Sequence, residues 1–323
     1  MPVRSTEDTH EKAASSKAPA GVALILNPRS GVTRQCSPNA IRSALVAAGI
    51  HPRVFIIRRD SGPIAAARTA IREGATTLIA AGGDGTISAV ASVAIEAGAT
   101  LGILPAGTLN HFARDLGIPL HLEEAARVLS GGYTEQVDVA EVNGRIFLNN
   151  SSLGLYPRIA FWRERQRRLG RSRTLSLLWA TLRALWRMPI VNVKLNVNGA
   201  EFQRASPLVL IGNNTYELHG TQAGTRASLT EGHLSLYIAK VTTRIGVVRL
   251  CLRSLLGGLR QDSEMEFLSV SEAWMHTRRK QLRVALDGEV IVLHSPMHYR
   301  SRPGALRVLV PQEDSRSHPR PSV

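Results

Sequence analysis

The stretch "TTLIAAGGDGTISAVASVAIEAG" (residues 76–98) decides the fold. Residues 76–81 read as a strand whose apolar run, 78–81, is the signature of burial on both faces. Residues 87–98 repeat small apolar side chains at helical spacing and close on Gly98, a helix stop. Between them Gly82, Gly83, Asp84, Gly85 and Thr86 make a short strand-to-helix turn. Glycines let backbone approach an anion closely, and the helix start offers free N–H groups and a positive dipole end. The spacing fits neither G-x-x-x-x-G-K-[ST] nor G-x-G-x-x-G, and no lysine lies nearby. Read purely locally, the same turn needs no ligand and has Asp84 as the helix N-cap.

The pattern extends outward. "GVALILN" (21–27), "RVFII" (53–57) and "TLGILPAG" (100–107) read as strands, and residues 38–49 and 62–74 read as helices. Strands alternating with helices predict a Rossmann-like α/β domain with a parallel sheet over residues 21–133. Ligands in such sheets bind beyond the carboxyl ends of the strands. Three small-polar turns fall there: Asn27, Pro28, Arg29, Ser30 and Gly31; Gly82 to Thr86; and Gly107, Thr108 and Asn110. Together on one rim they would form a phosphate cradle without a lysine.

After about residue 134 the pattern changes. "EQVDVAEVNGRIFLNN" and "VNVKLNVNGAEFQRA" are strand pairs around Asn-Gly, a hairpin signal, and further strands follow. A C-terminal antiparallel β-sandwich domain is expected over residues 134–303, interrupted by a basic helical insert at 158–187 and a helix near 244–259. Residues 304–311 read as a last strand of unassigned domain. Residues 1–20 and 312–323 are polar and read as a disordered lead and tail.

Composition bounds the function. Forty Lys and Arg face 25 Asp and Glu, a net charge of +15, so an anionic partner is expected. Aromatics are only 5% of the chain, which argues against a base-stacking nucleic-acid platform. The two cysteines, Cys36 and Cys251, give neither metal spacing nor a disulfide framework, and a reducing, cytoplasmic setting is the expectation. The first twenty residues lack the apolar core of a secretory signal, and no run approaches the ~18 apolar residues of a spanning helix.

"ALDGEVIV" (285–292) carries two readings at once. Asp-Gly between alternating apolar residues is a type I′ hairpin turn. Asp287 and Glu289 are also a carboxylate pair of the kind that takes a hydroxyl proton during phosphoryl transfer.

"NPRSG", "GGDGT", "LPAGTLNHFARDLGIP" and "DGE", in this order, resemble the diacylglycerol kinase catalytic-domain family. That family includes bacterial lipid kinases, sphingosine kinases and ceramide kinases and shares its fold with NAD kinases. The resemblance covers roughly residues 21–311. It implies an ATP- and Mg²⁺-dependent lipid kinase, with nucleotide bound by Asn27 to Gly31, Gly82 to Thr86 and the Gly107, Thr108, Asn110 turn. It further implies that Asp84 organises the Mg²⁺ waters and that Glu289 accepts the proton, with Asp287 in the same network. A structural Mg²⁺ known in bacterial members would fall on Glu231 of "TEGHL". Arg29 or Arg114 would help offset developing charge.

Two departures stand out. His111 occupies the place of the family's usual acid in "GTxNDFAR", and Ser88 and Ala89 replace the Asn-Glu that usually follows "GGDGT". They remove acids and keep the glycine turns. They motivate one alternative, a non-catalytic nucleotide- or lipid-binding relative; a second alternative, a kinase of NAD or another soluble metabolite, rests on the shared fold.

The most basic stretch, "YPRIAFWRERQRRLGRSRTLSLLWATLRALWRMP" (156–189), interleaves arginines with Trp162, Trp179 and Trp186. That is the pattern of an interfacial helix pair on an anionic membrane. Its bland counterpart is a helix pair packed on the β domain with a solvated arginine face. The expected partners are a lipid substrate and an anionic membrane surface, with no nucleic acid, and a homodimer is left open. The expected location is cytoplasmic and peripherally membrane-associated.

Overall fold

Strands β1 (Val22–Leu26), β3 (Thr77–Gly82) and β4 (Thr100–Pro105) are apolar almost throughout and almost wholly buried, because both faces of their sheet are covered. With β2 (Arg53–Ile56) they form a parallel array in the order β2-β1-β3-β4. The computed structural model describes residues 21–30, 37–58, 60–168, 172–197, 199–216, 225–226, 228–255 and 264–312. Gly31 and the expected lead at 1–20 fall outside them, as does all but the first residue of the expected tail.

Helices α1 (Pro38–Ala47), α2 (Gly62–Arg72), α3 (Asp84–Ala97) and α5 (Leu122–Gly131) flank this array as two packed pairs, α1 with α5 and α2 with α3. Their ends follow sequence chemistry. Ser37 caps α1 by accepting the Ala40 N–H, and Gly98 closes α3 in the left-handed region at φ 64°. The short α4 (His111–Asp115) follows β4.

The C-terminal half is antiparallel. One six-stranded sheet runs in the order β12-β11-β10-β7-β14-β15. Its members are β7 (Asn150–Gly154), β10 (Leu208–Asn213), β11 (Leu234–Ala239), β12 (Met265–Val270), β14 (Gln281–Leu286) and β15 (Glu289–His294). It packs on β5 (Thr134–Val142), β6 (Arg145–Phe147), β8 (Val191–Val197), β9 (Ala200–Ser206), β13 (Glu272–Thr277) and β16 (Met297–Leu309). The sandwich core includes Phe147, Leu153, Leu195, Ile211, Leu236, Met275 and Tyr299. The Tyr299 ring stands edge-on to Phe147 at 6.3 Å.

The α/β array and one layer of the sandwich are a single sheet. The order β2-β1-β3-β4 continues into β16-β13-β8-β9, and Val308 of β16 pairs in parallel with Leu101 of β4. The segment expected as a separate last strand, 304–311, is therefore largely the second half of β16. That strand pairs antiparallel with β5 along both halves and shifts register between Arg302 and Leu306. Asp138 fixes the irregularity: its carboxylate accepts the N–H of Gly304 at 2.9 Å and of Gly232 at 2.6 Å. Gly304 takes φ 59°, which a side chain would strain.

The basic insert forms two helices, α6 (Leu155–Arg168) and α7 (Arg173–Trp186), packed on each other, with α6 lying against β7, β14 and β15. The helix α8 (Arg244–Leu255) adds Val247 to a small apolar cluster with Leu155 and Ala184.

Candidate active site

Parallel register puts the ends of three strands side by side, Leu26 against Ala81 and Gly82 against Pro105. The three turns of the sequence reading thus meet on one rim, at the point where β1 and β3 lead off in opposite directions. Asn27 Nδ2 donates to Thr86 Oγ1 at 2.9 Å, tying the first turn to the second. Arg29 N–H donates to Asn27 Oδ1 and Ser30 Oγ to the Asn27 carbonyl, shaping the first turn; Pro28 lies between them. Gly107 and Gly83 bring the second and third turns into backbone contact. A Cβ on Gly107 would lie 2.6 Å from the Gly83 Cα. Only glycine permits that approach.

Asn110 closes the third turn. It adopts φ 52°, its Oδ1 accepts the Gly107 N–H at 2.8 Å, and its Nδ2 donates to the Gly107 carbonyl. The Asn110 amide therefore shapes the loop, while Thr108 stands exposed at its lip.

Asp84 does not cap its own helix. The N-cap of α3 is Gly83, with no side-chain cap; the Thr86 and Ile87 N–H groups bond the Gly83 carbonyl, and those of Asp84 and Gly85 precede the first such bond. Asp84 instead reaches across, and its Oδ1 accepts the Phe112 N–H of α4 at 3.3 Å. His111, at the head of α4, is exposed and Phe112 is buried.

The hairpin β14–β15 brings the distant acids to the same rim. Asp287 and Gly288 have φ 46° and 85°, both left-handed, so the type I′ turn is real. The Asp287 carboxylate is also enclosed. Its two oxygens accept the N–H groups of Leu148, Asn149 and Asn150 at 2.8, 2.8 and 3.1 Å. Burial pushes this carboxyl upward, and the three N–H groups with the Ser88 hydroxyl pull it down. Ser88, read as a lost acid's neighbour, is thus a hydrogen-bond donor to Asp287.

Glu289 lies against the glycine loop. A Cβ on Gly85 would stand 2.6 Å from Glu289 Oε1. The Glu289 carboxyl is raised above the ordinary range, first by burial of its head and then by the charge of Asp287. A carboxylate shifted in this direction is a better proton acceptor.

A buried ion pair beside these acids was not singled out in the sequence. Arg226, fully buried, donates from Nε and Nη2 to Asp115 Oδ2 at 2.8 and 2.6 Å. Its Nη1 reaches the Leu148 carbonyl at 2.6 Å and the Asn213 carbonyl at 3.1 Å, and its Nη2 reaches Asn149 Oδ1 at 2.9 Å. Burial works against this charge, but Tyr216, Asp115 and Asp287 outweigh it and hold the guanidinium above its ordinary value. Arg226 therefore joins α4 to the same 148–149 segment that donates to Asp287.

Glu231 is engaged with its neighbours in the β domain. Its Oε2 accepts from the N–H and hydroxyl of Thr215 and pairs with His233 Nε2 at 3.0 Å. Among the described residues no three His, Cys, Asp or Glu side chains gather as a metal site. A metal at the rim would draw its remaining ligands from phosphate oxygens and water. Arg29 and Arg114 are exposed, and Arg114 Nε donates to the Leu109 carbonyl at 3.1 Å.

Comparison with known proteins agrees with this architecture. Residues 21–142 match the family profile described as "Diacylglycerol kinase catalytic domain", and residues 160–310 match "YegS C-terminal NAD kinase beta sandwich-like domain". The chain is 29% identical to a protein of Escherichia fergusonii named "Probable lipid kinase YegS", covering 90% of this chain and 96% of that one. A protein of the same name from Salmonella arizonae is 30% identical, covering 75% and 80%. An uncharacterised Synechocystis protein is 26% identical over 75% of this chain, which spans only 57% of its length. The crystal structure of a diacylglycerol kinase from Bacillus anthracis superposes with TM-score 0.65 at 20% identity, over 90% of this chain and 97% of that one. Both halves of the fold and the motifs on their shared rim lead to one assignment: this chain belongs to the diacylglycerol kinase catalytic-domain family of lipid kinases, in the branch that carries a YegS-type β-sandwich.

Proposed function

We propose that this protein transfers the terminal phosphoryl group of ATP, with Mg²⁺, to the hydroxyl of a lipid, diacylglycerol or a relative of it, at a membrane surface. One observation carries the reading: the Glu289 carboxylate of the β domain rests on Gly85 of the α/β domain's glycine turn. A proton acceptor and a phosphate cradle thereby share one rim. The glycine backbones of 83, 85 and 107 and the uncapped start of α3 fit a polyphosphate. Asp84 is the residue that would hold the waters of a magnesium ion. When bound, that ion supplies charge neutralisation at the phosphates.

Glu289 takes the proton of the lipid hydroxyl as the oxygen attacks phosphorus. Asp287, fixed by three N–H groups, holds the hairpin tip and raises the basicity of Glu289. Arg29 and Arg114 lie exposed at the rim with guanidinium groups available to an anion.

The helix pair supports action at a membrane. Leu175, Leu178, Leu182 and Trp186 recur three to four residues apart on α7 and are 61, 56, 59 and 62% exposed. Arg183 and Arg187 lie over the rings of Trp162, Trp179 and Trp186. An apolar stripe bordered by tryptophan and arginine suits an anionic interface. Among the described residues no helix is long and apolar enough to cross a membrane.

The test is incubation with labelled ATP, Mg²⁺ and total lipid extract, comparing wild type with Glu289→Gln. A labelled phospholipid made by wild type and lost in the variant is expected. Full turnover by the variant refutes the role of Glu289. Transfer that ignores vesicles points to a soluble acceptor, and nucleotide binding without any labelled product to a non-catalytic relative.

A further inference from the structure

A second basic feature lies away from the rim. Between the start of α6, the segment after α7 and the turn joining β13 to β14 is a cavity of about 610 Å³. That falls within the ~300–1,000 Å³ of ordinary ligand pockets. Its walls carry Arg158, Arg278, Arg279 and Arg283, with Asn192 and Gln281. Among the described residues none of these four arginines is ion-paired with a carboxylate.

The arginines are held in place. Arg158 Nη1 donates to the Arg187 carbonyl at 2.8 Å, and the Arg283 guanidinium lies 4.4 Å from the centre of the Phe161 ring. The Arg278–Lys280 turn is pinned by Thr277 Oγ1 donating to the Arg279 carbonyl at 2.8 Å and by Ser295 N–H donating to the Lys280 carbonyl at 3.0 Å. Arginine cannot shed its proton to escape like charges. Burial lowers the proton affinity of Arg158, and Arg279, Arg283, Arg187 and Arg183 lower it further. The cluster is thus a one-sign field in a concave site, relieved by an anion that offers several oxygens at once.

We propose that this cavity is an anion site for a phosphate group, distinct from the site of transfer. Arg283 pairs with Val292 across the β14–β15 hairpin, three pairs from the Leu286–Glu289 pair beside the tip. At ~3.4 Å per residue the two sites are about 10 Å apart along one ribbon. The phosphate is that of an anionic phospholipid headgroup or a free phosphate, and the two sources are separable because only one comes in a vesicle.

The experiment uses the full chain without nucleotide, so its outcome is independent of any kinase activity. Calorimetry with inorganic phosphate and with glycerol phosphate is run beside flotation with phosphatidylglycerol and with phosphatidylcholine vesicles. The proteins are wild type, the double variant Arg278→Gln/Arg279→Gln, and Arg127→Gln on exposed α5 as a charge control. Arg278 and Arg279 are exposed on a turn, and an unchanged melting temperature verifies the fold. The double variant is expected to bind about tenfold more weakly, the scale of losing charge-assisted hydrogen bonds. Binding of the soluble phosphates, lost in the double variant, identifies a free-phosphate site. Binding of phosphatidylglycerol vesicles alone, lost in the same way, identifies a headgroup site. No phosphate binding in either arm overturns the proposal. So does binding that the double variant keeps, or that Arg127→Gln weakens equally.

Discussion

Gly85→Ala isolates the contact on which the kinase reading rests. Gly85 is the second residue of α3, and its φ is not left-handed, so the backbone accepts alanine. Alanine is the better helix former by up to about 1 kcal/mol. Its new Cβ would lie 2.6 Å from Glu289 Oε1, 3.2 Å from Cδ and 3.4 Å from Cγ. Ordinary contact begins at 3.4 Å, so the carboxylate must retreat by about 0.8 Å. Glu289 is the far end of a flexible side chain and can swing away without disturbing the sheet. A displacement of ~1 Å at a reacting group costs on the order of a hundredfold in rate. The expected result is a kcat about two orders of magnitude lower, a KM for ATP changed little, and a melting temperature equal to wild type or higher. Adding Glu289→Asp, one methylene shorter, should recover part of the lost rate. A wild-type kcat in Gly85→Ala, with the fold intact, would refute the placement of Glu289 as the proton acceptor.

Gly107→Ala should behave differently, because its Cβ meets the Gly83 Cα, which is backbone and cannot swing aside; equilibrium dialysis should show weakened ATP binding, and the melting temperature should fall. Asp115→Asn leaves the buried Arg226 charge without its counterion and should cost about 3–5 kcal/mol in urea unfolding. Because Glu289 is raised by burial and by Asp287 and must be ionised to accept a proton, the acid limb of kcat/KM should lie above the ordinary glutamate value of ~4.3. Activity should therefore fall as pH drops through that raised value, and a limb at or below 4.3 would remove Glu289 from the role.

The α/β half was legible because each local signal agreed with the global one. Leu24 to Leu26 and Leu78 to Ala81 are uninterrupted apolar runs, and such runs are what a doubly covered parallel strand requires. The three turns could be set on one rim from strand polarity alone. The "DGE" stretch is harder, since its residues carry a turn reading and a carboxylate reading at once. The turn is formed, and Asp287 in its left-handed position points its carboxylate at the N–H groups of residues 148–150. Residue types near Asp287 do not encode that contact, which spans more than 130 residues. The same holds for Arg226, a lone arginine in a polar stretch with no periodicity to mark it, and for Ser88, whose worth depends on Asp287 arriving from the other half. Asp84 shows where the purely local alternative gives way. An acid beside a helix start reads as that helix's cap, yet tertiary packing gives it the Phe112 N–H of a neighbouring helix.

The path of β16 has a consequence for synthesis of the chain. The free edge of β4 is met by residues of β16, with Val308 paired to Leu101, translated about two hundred residues later. Until they emerge, the nascent α/β unit leaves a sheet edge unpaired. That unit cannot reach its final form on the ribosome as an independent module. It must wait, with an edge open to wrong partners, for the strand that also completes the sandwich. A truncation before residue 297 should therefore aggregate as a whole, and not yield a folded α/β half with a loose tail.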